Sequence, residues 1–444
     1  MTETLNITSM AYEGAGIAHT QDGKTVFVDG AVVGDSIEPR TIQSHASYDL
    51  CESSALLEPS LLRVAAACPY AGVCGGCPWQ VLKYEEQLRW KRQFVVDALE
   101  RIAKLEGSEA LVGECVPSPQ HWQYRNKIEL CAFSLNKKLN LGFRRKSSHE
   151  LTRIDACLLL PEPLSGLPRQ LAGALNYSLK GAEHYLSRVA VRSSRTTRAV
   201  ELALFMLPSG IKRGLVTRTL KENVECTSLV RVIVAGKPAE RKAKQVEVLS
   251  GAGYWLDELA GNRYKVSAPS FFQTNSPVAE AMIFQLEALL DTLSLAASAH
   301  VADLYSGVGT FTLPLARRFK RVTAIESTGS SLRDLRRNLD ESGLDAEVIG
   351  GDVARELPEL APLELAVVDP PRSGLRPEAV EALRGCGASH LVYVSCNPAT
   401  LARDIGLLTQ GGYHLVSATP FDMFPQSYHV EVLAVLSKEK GTQL

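Results

Sequence analysis

The carboxyl-terminal part of the sequence predicts an α/β fold built on a doubly wound, mainly parallel sheet. Apolar runs that indicate buried strands alternate there with segments of helical composition. One such run leads into a glycine turn at Gly307 and Gly309, and another ends at Cys396, just before an Asn-Pro turn. Because open α/β sheets bind ligands beyond the carboxyl ends of their strands, we expect both features to lie at one functional edge.

The alternation of strand and helix begins at about residue 266. The composition predicts helices at residues 277–293, 330–338 and 398–408. Strands and helices spaced in this way form βαβ units, which give a parallel sheet with helices on both faces. The predicted strands lie near residues 301–305, 321–325, 365–368, 390–395 and 430–436.

Length and turn patterns divide the chain into three parts. A chain of 444 residues corresponds to about three domains. Short strand-like runs near the amino terminus alternate with Gly and Asp turns, as in a small OB-like β-barrel. A stretch that mixes strands with basic loops follows it. The predicted domains are a barrel at 1–60, a sheet-rich central domain at 61–265 and the α/β domain at 266–444.

Composition restricts the cellular setting. No apolar run reaches the roughly 18 residues of a transmembrane helix, and the first residues lack the profile of a signal peptide. Ten cysteines in such a chain indicate reduced thiols or metal ligands and not a disulfide framework. We therefore expect a monomeric cytoplasmic protein that does not bind membranes.

The formal net charge of −1 conceals a strong asymmetry. Residues 1–119 contain 9 Lys and Arg against 16 Asp and Glu, residues 120–245 contain 23 against 9, and residues 246–444 contain 16 against 24. A basic segment between two acidic ones indicates a polyanionic partner such as RNA, although an ordinary solvated surface is the alternative. The densest basic groups are Arg144 with Arg145 and Lys146, Lys212 with Arg213, and Lys237 with Arg241, Lys242 and Lys244.

Three acids accompany the glycine turn. Asp303 ends the strand before the turn, Glu326 ends the next strand, and Asp352 follows the third. An acid at the position of Glu326 commonly binds ribose hydroxyls, and Asp352 is placed to contact an adenine. The third glycine of the dinucleotide fingerprint is absent, which favours a cofactor without phosphates. Each acid could instead cap a helix.

Three further side chains fall at strand ends or on the last strand. Asp369 precedes two prolines that stop a strand and fix its backbone, although the pair could be a rigid turn only. Cys396 is placed as a nucleophile, but free cysteines are often buried as small hydrophobes. Glu431 lies between valines, where burial would raise its pKa and make it a base.

A run of three cysteines forms a separate candidate site. Cys68, Cys74 and Cys77 are separated by short, glycine-containing segments that can wrap one metal centre. Four thiolates suit either zinc or a [4Fe–4S] cluster, and spacing alone does not separate the two. The fourth ligand must come from elsewhere, and the candidates are Cys115, Cys131 and Cys157.

These motifs together resemble the RNA 5-methyluridine methyltransferase family, in the class that uses S-adenosylmethionine and carries an iron–sulfur cluster. The opening glycines resemble the TRAM module, an RNA-binding β-barrel. The resemblance covers nearly the whole chain. It rests on the segments at residues 14–16, 26–30, 68–80, 154–157, 270–275, 395–398 and 429–431.

The resemblance implies roles for individual residues in a Rossmann-like methyltransferase domain. It makes Cys396 the nucleophile and Glu431 the base, and it selects Cys157 as the fourth ligand of a [4Fe–4S] cluster. Ser306 and Thr310 depart from the residues of many relatives, which affects the methionine end of the cofactor site. With Asp352 added from the strand pattern, the predicted S-adenosylmethionine contacts are Gln273, Tyr305, Thr310, Glu326, Asp352 and Asp369.

The predicted reaction is methylation of uridine C5 in structured RNA through a covalent cysteine–uracil adduct. Within the family both 23S ribosomal RNA and transfer RNA are substrates, and the cluster and TRAM-like segments favour 23S ribosomal RNA. The alternatives are a methyltransferase for another base or for protein, a catalytically silent RNA-binding factor, and a redox iron–sulfur protein. The presence of both Cys396 and Glu431 argues against a silent factor.

Overall fold

In the computed structural model, which describes residues 4–146, 148–235 and 243–438, three β-sheets and one hairpin follow one another along the chain. The first sheet has the strand order β1-β5-β6-β4-β3-β2 within these ranges. Alternating residues of its strands point into a small apolar core that includes Val26, Val28 and Ile37. Its strands are β1 (Leu5–Asn6), β2 (Ser9–Met10), β3 (Gly16–His19), β4 (Thr25–Asp29), β5 (Ser36–Ser44) and β6 (Tyr48–Glu58).

Helix α1 (Tyr84–Arg101) joins the first sheet to the rest of the molecule. Phe94 packs in a cluster with Met10 of the first sheet, whereas Val95 packs in the core of the carboxyl-terminal sheet. Lys91, fully buried on the same helix, forms an ion pair with the equally buried Asp422 and donates to the Phe424 carbonyl at 3.0 Å. Because an isolated buried charge is costly, this pair fixes α1 against the segment before the last strand.

The central sheet has the order β13-β12-β11-β10-β7-β8-β9. Strands β11 and β12 are parallel and are connected by a helix, while their other neighbours are antiparallel. Leucine side chains from two helices cover one face of the sheet. The elements are β7 (Lys127–Leu135), β8 (Lys138–Arg144), β9 (Leu151–Arg153), α2 (Leu167–Ser178), β10 (Leu186–Ser193), β11 (Val200–Met206), α3 (Arg213–Asn223), β12 (Ser228–Val234) and β13 (Ala243–Gly251).

A hairpin and a long helix lead into the carboxyl-terminal sheet. The hairpin consists of β14 (Trp255–Leu259) and β15 (Asn262–Val266), and α4 (Ser276–Thr292) follows it. The sheet itself consists of β16 (His300–Leu304), α5 (Thr312–Arg318), β17 (Arg321–Glu326), α6 (Gly329–Ser342), β18 (Glu347–Gly350), α7 (Val353–Glu356), β19 (Leu365–Val368), α8 (Pro377–Gly385), β20 (His390–Ser395), α9 (Pro398–Gln410), β21 (His414–Phe421) and β22 (Glu431–Ser437).

The strand order of this sheet is β18-β17-β16-β19-β20-β22-β21, and β22 runs antiparallel to both neighbours. The strands from β16 to β20 are parallel and are connected through helices. Apolar clusters cover the sheet on both faces, which accounts for the continuous apolar runs in its central strands. The α/β prediction is therefore confirmed. Short 3-10 helices occur at Ser108–Leu111, Leu164–Gly166, Glu183–Tyr185 and Leu357–Glu359.

None of the helices in the described ranges combines the length and apolar character needed to cross a membrane. Of the basic residues singled out in the sequence, Lys237, Arg241 and Lys242 lie outside the described residues.

Candidate active site

Strands of the carboxyl-terminal sheet bring Cys396 and Glu431 together. Ser395, the last residue of β20, pairs with Val432 of the antiparallel β22. Cys396 and Glu431 are the next residues outward on the two strands, and they therefore oppose each other where the ladder ends. Asp369 follows the parallel strand β19 at the same edge of the sheet.

Burial and negative charge keep the Cys396 thiol protonated in the free protein. Burial raises the pKa of Cys396 to about 12, the charges of Glu431 and Asp369 add to the rise, and Arg372 opposes it. A thiolate, not a thiol, is the reactive nucleophile. The site therefore has to remove a proton before Cys396 can attack, and Arg372 is the cation that favours the charged form.

Glu431 and Asp369 form a pair of carboxyl groups with raised basicity. Glu431 is buried, and burial followed by the charge of Asp369 raises its pKa well above its ordinary value. Burial also raises the pKa of Asp369, with a contribution from Asp303. A carboxyl group with a raised pKa is suited to proton transfer near neutral pH.

The residues around this pair include a neutral histidine. Burial lowers the pKa of His429 to about 4, and the cations Arg372, Lys91 and Arg125 add to the effect. His429 is therefore uncharged at neutral pH, which leaves Arg372 as a positive group beside the pair. Arg372 was not assigned a role from the sequence, although it belongs to the same loop as Asp369.

The glycine turn after β16 has two glycines in different surroundings: Gly309 is packed against side chains, whereas no atom lies within 4 Å of the position that a Cβ would take at Gly307. Gly309 has φ +98°, and a Cβ there would lie 2.7 Å from the side chains of Leu313 and Leu335, so glycine is required. Tyr305 also occupies the left-handed region, with φ +62°. Glu326 holds the turn, because its carboxylate accepts hydrogen bonds from Gly307 N at 3.0 Å and Thr328 N at 2.5 Å.

Asp303 supplies an unpartnered buried acceptor beside this turn. Its side chain is fully buried, and Oδ2 accepts from the Thr312 hydroxyl at 2.5 Å. Its other oxygen, Oδ1, has no hydrogen-bond partner. Burial raises the pKa of Asp303 to about 7, opposed by the Thr312 hydrogen bond and assisted by the charge of Glu326. A buried orphan carboxylate oxygen is costly unless a ligand satisfies it.

The segment that carries Gln273 is fixed by the central sheet. Gln273 is buried, and its carbonyl accepts from Asn126 Nδ2 at 2.8 Å. Arg192 of β10 donates to the Ser270 carbonyl at 2.5 Å, and the Ser270 hydroxyl donates to Asp334 at 2.7 Å. These contacts hold the segment from both sides.

Two other predicted cofactor residues have structural contacts. The Thr310 carbonyl accepts from the Tyr264 hydroxyl at 3.2 Å. Asp352 caps α7 by accepting from Ala354 N at 3.0 Å, and its second oxygen pairs with Arg376. Asp352 therefore performs the helix-cap role that was the alternative, and its contact with an adenine stays a prediction.

The four cysteines predicted as cluster ligands line one cavity of about 470 Å³. Burial raises the pKa of the Cys77 thiol to about 12, with added contributions from Cys157, Cys74 and Cys68. Burial also raises the pKa of Cys157. Neither Cys115 nor Cys131 is among the residues that line this cavity. Cys157 is thus the candidate fourth ligand that the fold brings to the other three.

A half-buried cation lies beside these thiols. Arg125 lines the same cavity, lowers the pKa of Cys77 and Cys157, and has an Nε without a hydrogen-bond partner. Within the described residues, no group of three or more His, Cys, Asp or Glu side chains is arranged to hold a metal ion. The cysteines are therefore gathered around one space but are not in the arrangement of a single-ion site.

The basic group at residues 144–146 lies on the rim of this cavity. Its backbone pairs with the cysteine segment, since Gly75 N donates to the Arg144 carbonyl and Lys146 N to the Val73 carbonyl, both at 3.1 Å. Arg145 pairs with Glu150 at 3.1 Å, and Lys146 pairs with Asp29 of the first sheet. These acidic partners reduce the charge that the group offers to RNA.

Comparison with known proteins identifies the family to which this chain belongs. Residues 257–358 and 361–439 match the family model described as tRNA (uracil-5-)-methyltransferase. The chain is 32% identical to an uncharacterised RNA methyltransferase of Gloeobacter violaceus, over 98% of this chain and 96% of the relative. It is also 32% identical to a 23S rRNA (uracil(1939)-C(5))-methyltransferase of Shewanella halifaxensis, over 97% of this chain and 95% of the relative. The chain belongs to the RNA (uracil-C5)-methyltransferase family.

A solved structure agrees with this family in fold. The chain is similar to the Pyrococcus abyssi tRNA (uracil-54, C5)-methyltransferase in complex with S-adenosyl-L-homocysteine. The TM-score is 0.76 at 24% identity, and the match covers 98% of this chain and 100% of that chain. The protein is thus an RNA methyltransferase of the uracil-C5 family with an α/β methyltransferase fold, and RNA is its substrate.

Proposed function

We propose that this RNA (uracil-C5)-methyltransferase works by covalent catalysis, with Cys396 attacking C6 of the target uracil and Glu431 removing the C5 proton. The observation that carries the proposal is the opposition of Cys396 and Glu431 across the ends of β20 and β22. Uracil C5 is a weak nucleophile, and addition of a thiolate at C6 makes it carbanion-like. This mechanism requires a nucleophile that adds to C6 and a base that removes the C5 proton, and Cys396 and Glu431 are placed on neighbouring strands to supply them.

The steps follow from the residues of the site. The thiol proton moves to the Asp369 carboxylate, which leaves Glu431 ionised for the later step, and Arg372 favours the resulting thiolate. The Sγ–C6 bond forms as the C5–C6 electron pair moves into an enolate, and C5 then takes the methyl group. Glu431 removes the C5 proton, and the returning electron pair breaks the Sγ–C6 bond. The uracil must leave its stack to reach this edge of the sheet.

We infer that the methyl donor is S-adenosylmethionine, bound beside the glycine turn. The unpartnered Oδ1 of Asp303 fits a cationic group of that donor, and at Gly307 of the same turn no atom lies within 4 Å of the position that a Cβ would take. Bound there, the donor supplies a methyl group activated by a sulfonium. The residues proposed to hold it are Gln273, Tyr305, Thr310, Glu326, Asp352 and Asp369.

For the target we propose 23S ribosomal RNA, in keeping with the Shewanella halifaxensis relative. Transfer RNA is the second candidate, because the matching family model is described by that substrate. Mapping 5-methyluridine in total RNA from a deletion strain tests the choice. We expect 5-methyluridine to disappear from a 23S site, and its disappearance from transfer RNA alone would reverse the assignment. Unchanged 5-methyluridine in both RNAs would contradict the proposed activity.

The first sheet and the basic central segment are proposed to hold the RNA. The strands of the first sheet lie within residues 1–60, for which the sequence predicts a TRAM-like barrel, and the central segment carries 23 Lys and Arg against 9 Asp and Glu over residues 120–245. Neutralising phosphates releases counterions, which gives a basic surface its affinity for RNA.

We also propose that Cys68, Cys74, Cys77 and Cys157 hold a [4Fe–4S] cluster. A cluster is wider than a single ion, so its ligands surround a space of the kind that these four cysteines line. Binding iron makes the thiols anionic, and Arg125 then offsets part of that charge within the cavity.

Anaerobically purified protein should be brown and contain about four irons per chain. Cys157→Ser should lose most of this iron and its visible absorbance because it removes a proposed ligand. Cys131→Ser, which changes a half-buried cysteine outside the cavity, is the matched control and should keep both. Stoichiometric zinc without visible absorbance in the wild-type protein would refute the cluster.

A further inference from the structure

A tyrosine of the first sheet reaches the catalytic cysteine. Tyr12 lies between β2 and β3, and its hydroxyl donates a hydrogen bond to the Cys396 carbonyl at 3.2 Å. The two residues are 384 positions apart in the chain. The first sheet, which is proposed to bind RNA, therefore also contacts the backbone of Cys396, the proposed nucleophile.

The same turn of the first sheet packs against the segment that carries the base. The Tyr12 ring lies edge-on to Phe94 of α1 at 5.6 Å and to Tyr428 at 5.9 Å between centroids. Gly14 has φ +88°, and a Cβ there would come within 2.7 Å of the Tyr428 ring. The turn also accepts a hydrogen bond from Trp79 Nε1 at the Gly14 carbonyl, at 3.3 Å. Tyr12 is thus held rigidly between the segments of Cys396 and Glu431.

The Tyr12 hydrogen bond is one of several contacts that hold the turn after β20. β20 ends at Ser395, whose hydroxyl accepts from Asn397 N at 3.2 Å, and the Asn397 side chain caps α9 by accepting from Ala399 N at 3.1 Å. Those contacts lie within the turn itself. The Cys396 carbonyl is held in addition by Tyr12 of the first sheet, so the hydroxyl helps to set the orientation of the peptide and of the Sγ attached to it.

The Tyr12 hydroxyl remains protonated, and therefore a hydrogen-bond donor, at neutral pH. Burial raises the pKa of Tyr12 above its ordinary value, opposed by Arg372 and assisted by Cys396, Tyr428 and Glu431. The hydroxyl therefore stays protonated when the neighbouring thiol is converted to its thiolate. A rigid donor at this position preorganises the attacking group before RNA binds.

We propose that Tyr12 is a positioning residue that aligns Cys396 for attack on the target uracil, so that the first sheet completes the active site as well as binding RNA. This proposal rests on the proposed function, because alignment matters for a covalent step at Cys396. Under this proposal the first sheet contributes to the chemical step through Tyr12. Removing the Tyr12 hydroxyl should therefore lower kcat.

The variant Tyr12→Phe removes the hydroxyl and keeps the ring packing. With 5-fluorouridine RNA we expect single-turnover adduct formation, and kcat on ordinary RNA, to fall by about three- to tenfold, as for the loss of one hydrogen bond. RNA affinity should be unchanged. Tyr254→Phe is the matched control, since it removes the same atom from a half-buried ring that packs against Lys265 and Arg337, outside the first sheet and the active site, and it should leave both rates unchanged. Weaker RNA binding with an unchanged adduct rate would overturn the proposal.

Labelling with iodoacetamide gives a second test without RNA. A loosened turn exposes the half-buried Cys396, so Tyr12→Phe should label Cys396 faster than wild type, as read from the fragment ions of each cysteine-containing peptide in mass spectrometry. Cys226, half-buried elsewhere, is the internal reference, and the buried Cys386 reports any unfolding. Cys396 labelling that equals wild type after correction to Cys226 would overturn the proposal. An absent adduct in the wild-type protein would instead defeat the covalent mechanism, and the labelling result would still report on Tyr12.

Discussion

Cys396→Ala should abolish RNA methylation, with a loss in kcat of about 10⁴-fold or more, as for removal of a catalytic nucleophile. The alanine variant cannot form the Sγ–C6 bond, so C5 stays unactivated and no denaturant-resistant adduct with RNA should appear. Affinity for S-adenosylmethionine should stay close to wild type, because the proposed cofactor residues lie on other loops. Methylation assays, denaturing gels and calorimetry measure the three quantities.

The control for this variant is Cys226→Ala, which removes a half-buried thiol in the loop before β12. It should methylate RNA at the wild-type rate. Turnover by Cys396→Ala within about tenfold of wild type would exclude the covalent mechanism. Simultaneous loss of cofactor binding would indicate a folding defect, which the thermal midpoint of the variant would reveal.

Glu431→Gln should form the covalent adduct with ordinary RNA but fail to release it. Removal of the C5 proton follows methyl transfer, and a glutamine cannot accept that proton. The buried site favours the neutral amide over a buried charge, so the fold should tolerate this change. We expect kcat to fall by about 10²- to 10⁴-fold, with a stable RNA–protein complex after one turnover.

A denaturing gel with labelled RNA measures the trapped complex of Glu431→Gln. Glu347→Gln, at an exposed position of the edge strand β18, is the matched control and should neither trap RNA nor slow turnover. If Glu431→Gln formed no adduct at all, Glu431 would have to act before the covalent step, in orienting the uracil or in removing the thiol proton.

The carboxyl-terminal sheet was predictable because its central strands are buried on both faces. β16, β19 and β20 are buried throughout and mainly apolar, and such runs are visible without any tertiary information. β21 was missed. It is an edge strand that pairs with β22 alone, contains Pro420 and alternates irregularly between buried and half-exposed residues. Its position depends on the neighbouring strand more than on its own sequence.

The opposition of Cys396 and Glu431 was partly predictable. The sequence placed Cys396 at the end of a strand and Glu431 on the last strand, but it did not show that the two strands are neighbours. The role of Asp352 was less predictable, because a carboxylate after a strand serves equally as a helix cap or as a ligand. No local pattern marks Tyr12, whose contact with Cys396 depends on how the first sheet docks through α1. The cysteine spacing alone left the fourth ligand open. The family resemblance selected Cys157, and the fold places Cys157 in the same cavity as the other three cysteines.

The most direct test of covalent catalysis is mass spectrometry of the wild-type protein after reaction with 5-fluorouridine RNA and S-adenosylmethionine. Fluorine at C5 cannot be removed as a proton is, so the adduct persists. Trypsin releases residues 385–403, a peptide that contains both Cys386 and Cys396. We predict a methylated fluorouridine attached to Cys396, with Cys386 unmodified. An adduct on any other residue, or none while ordinary RNA is methylated, would contradict the account.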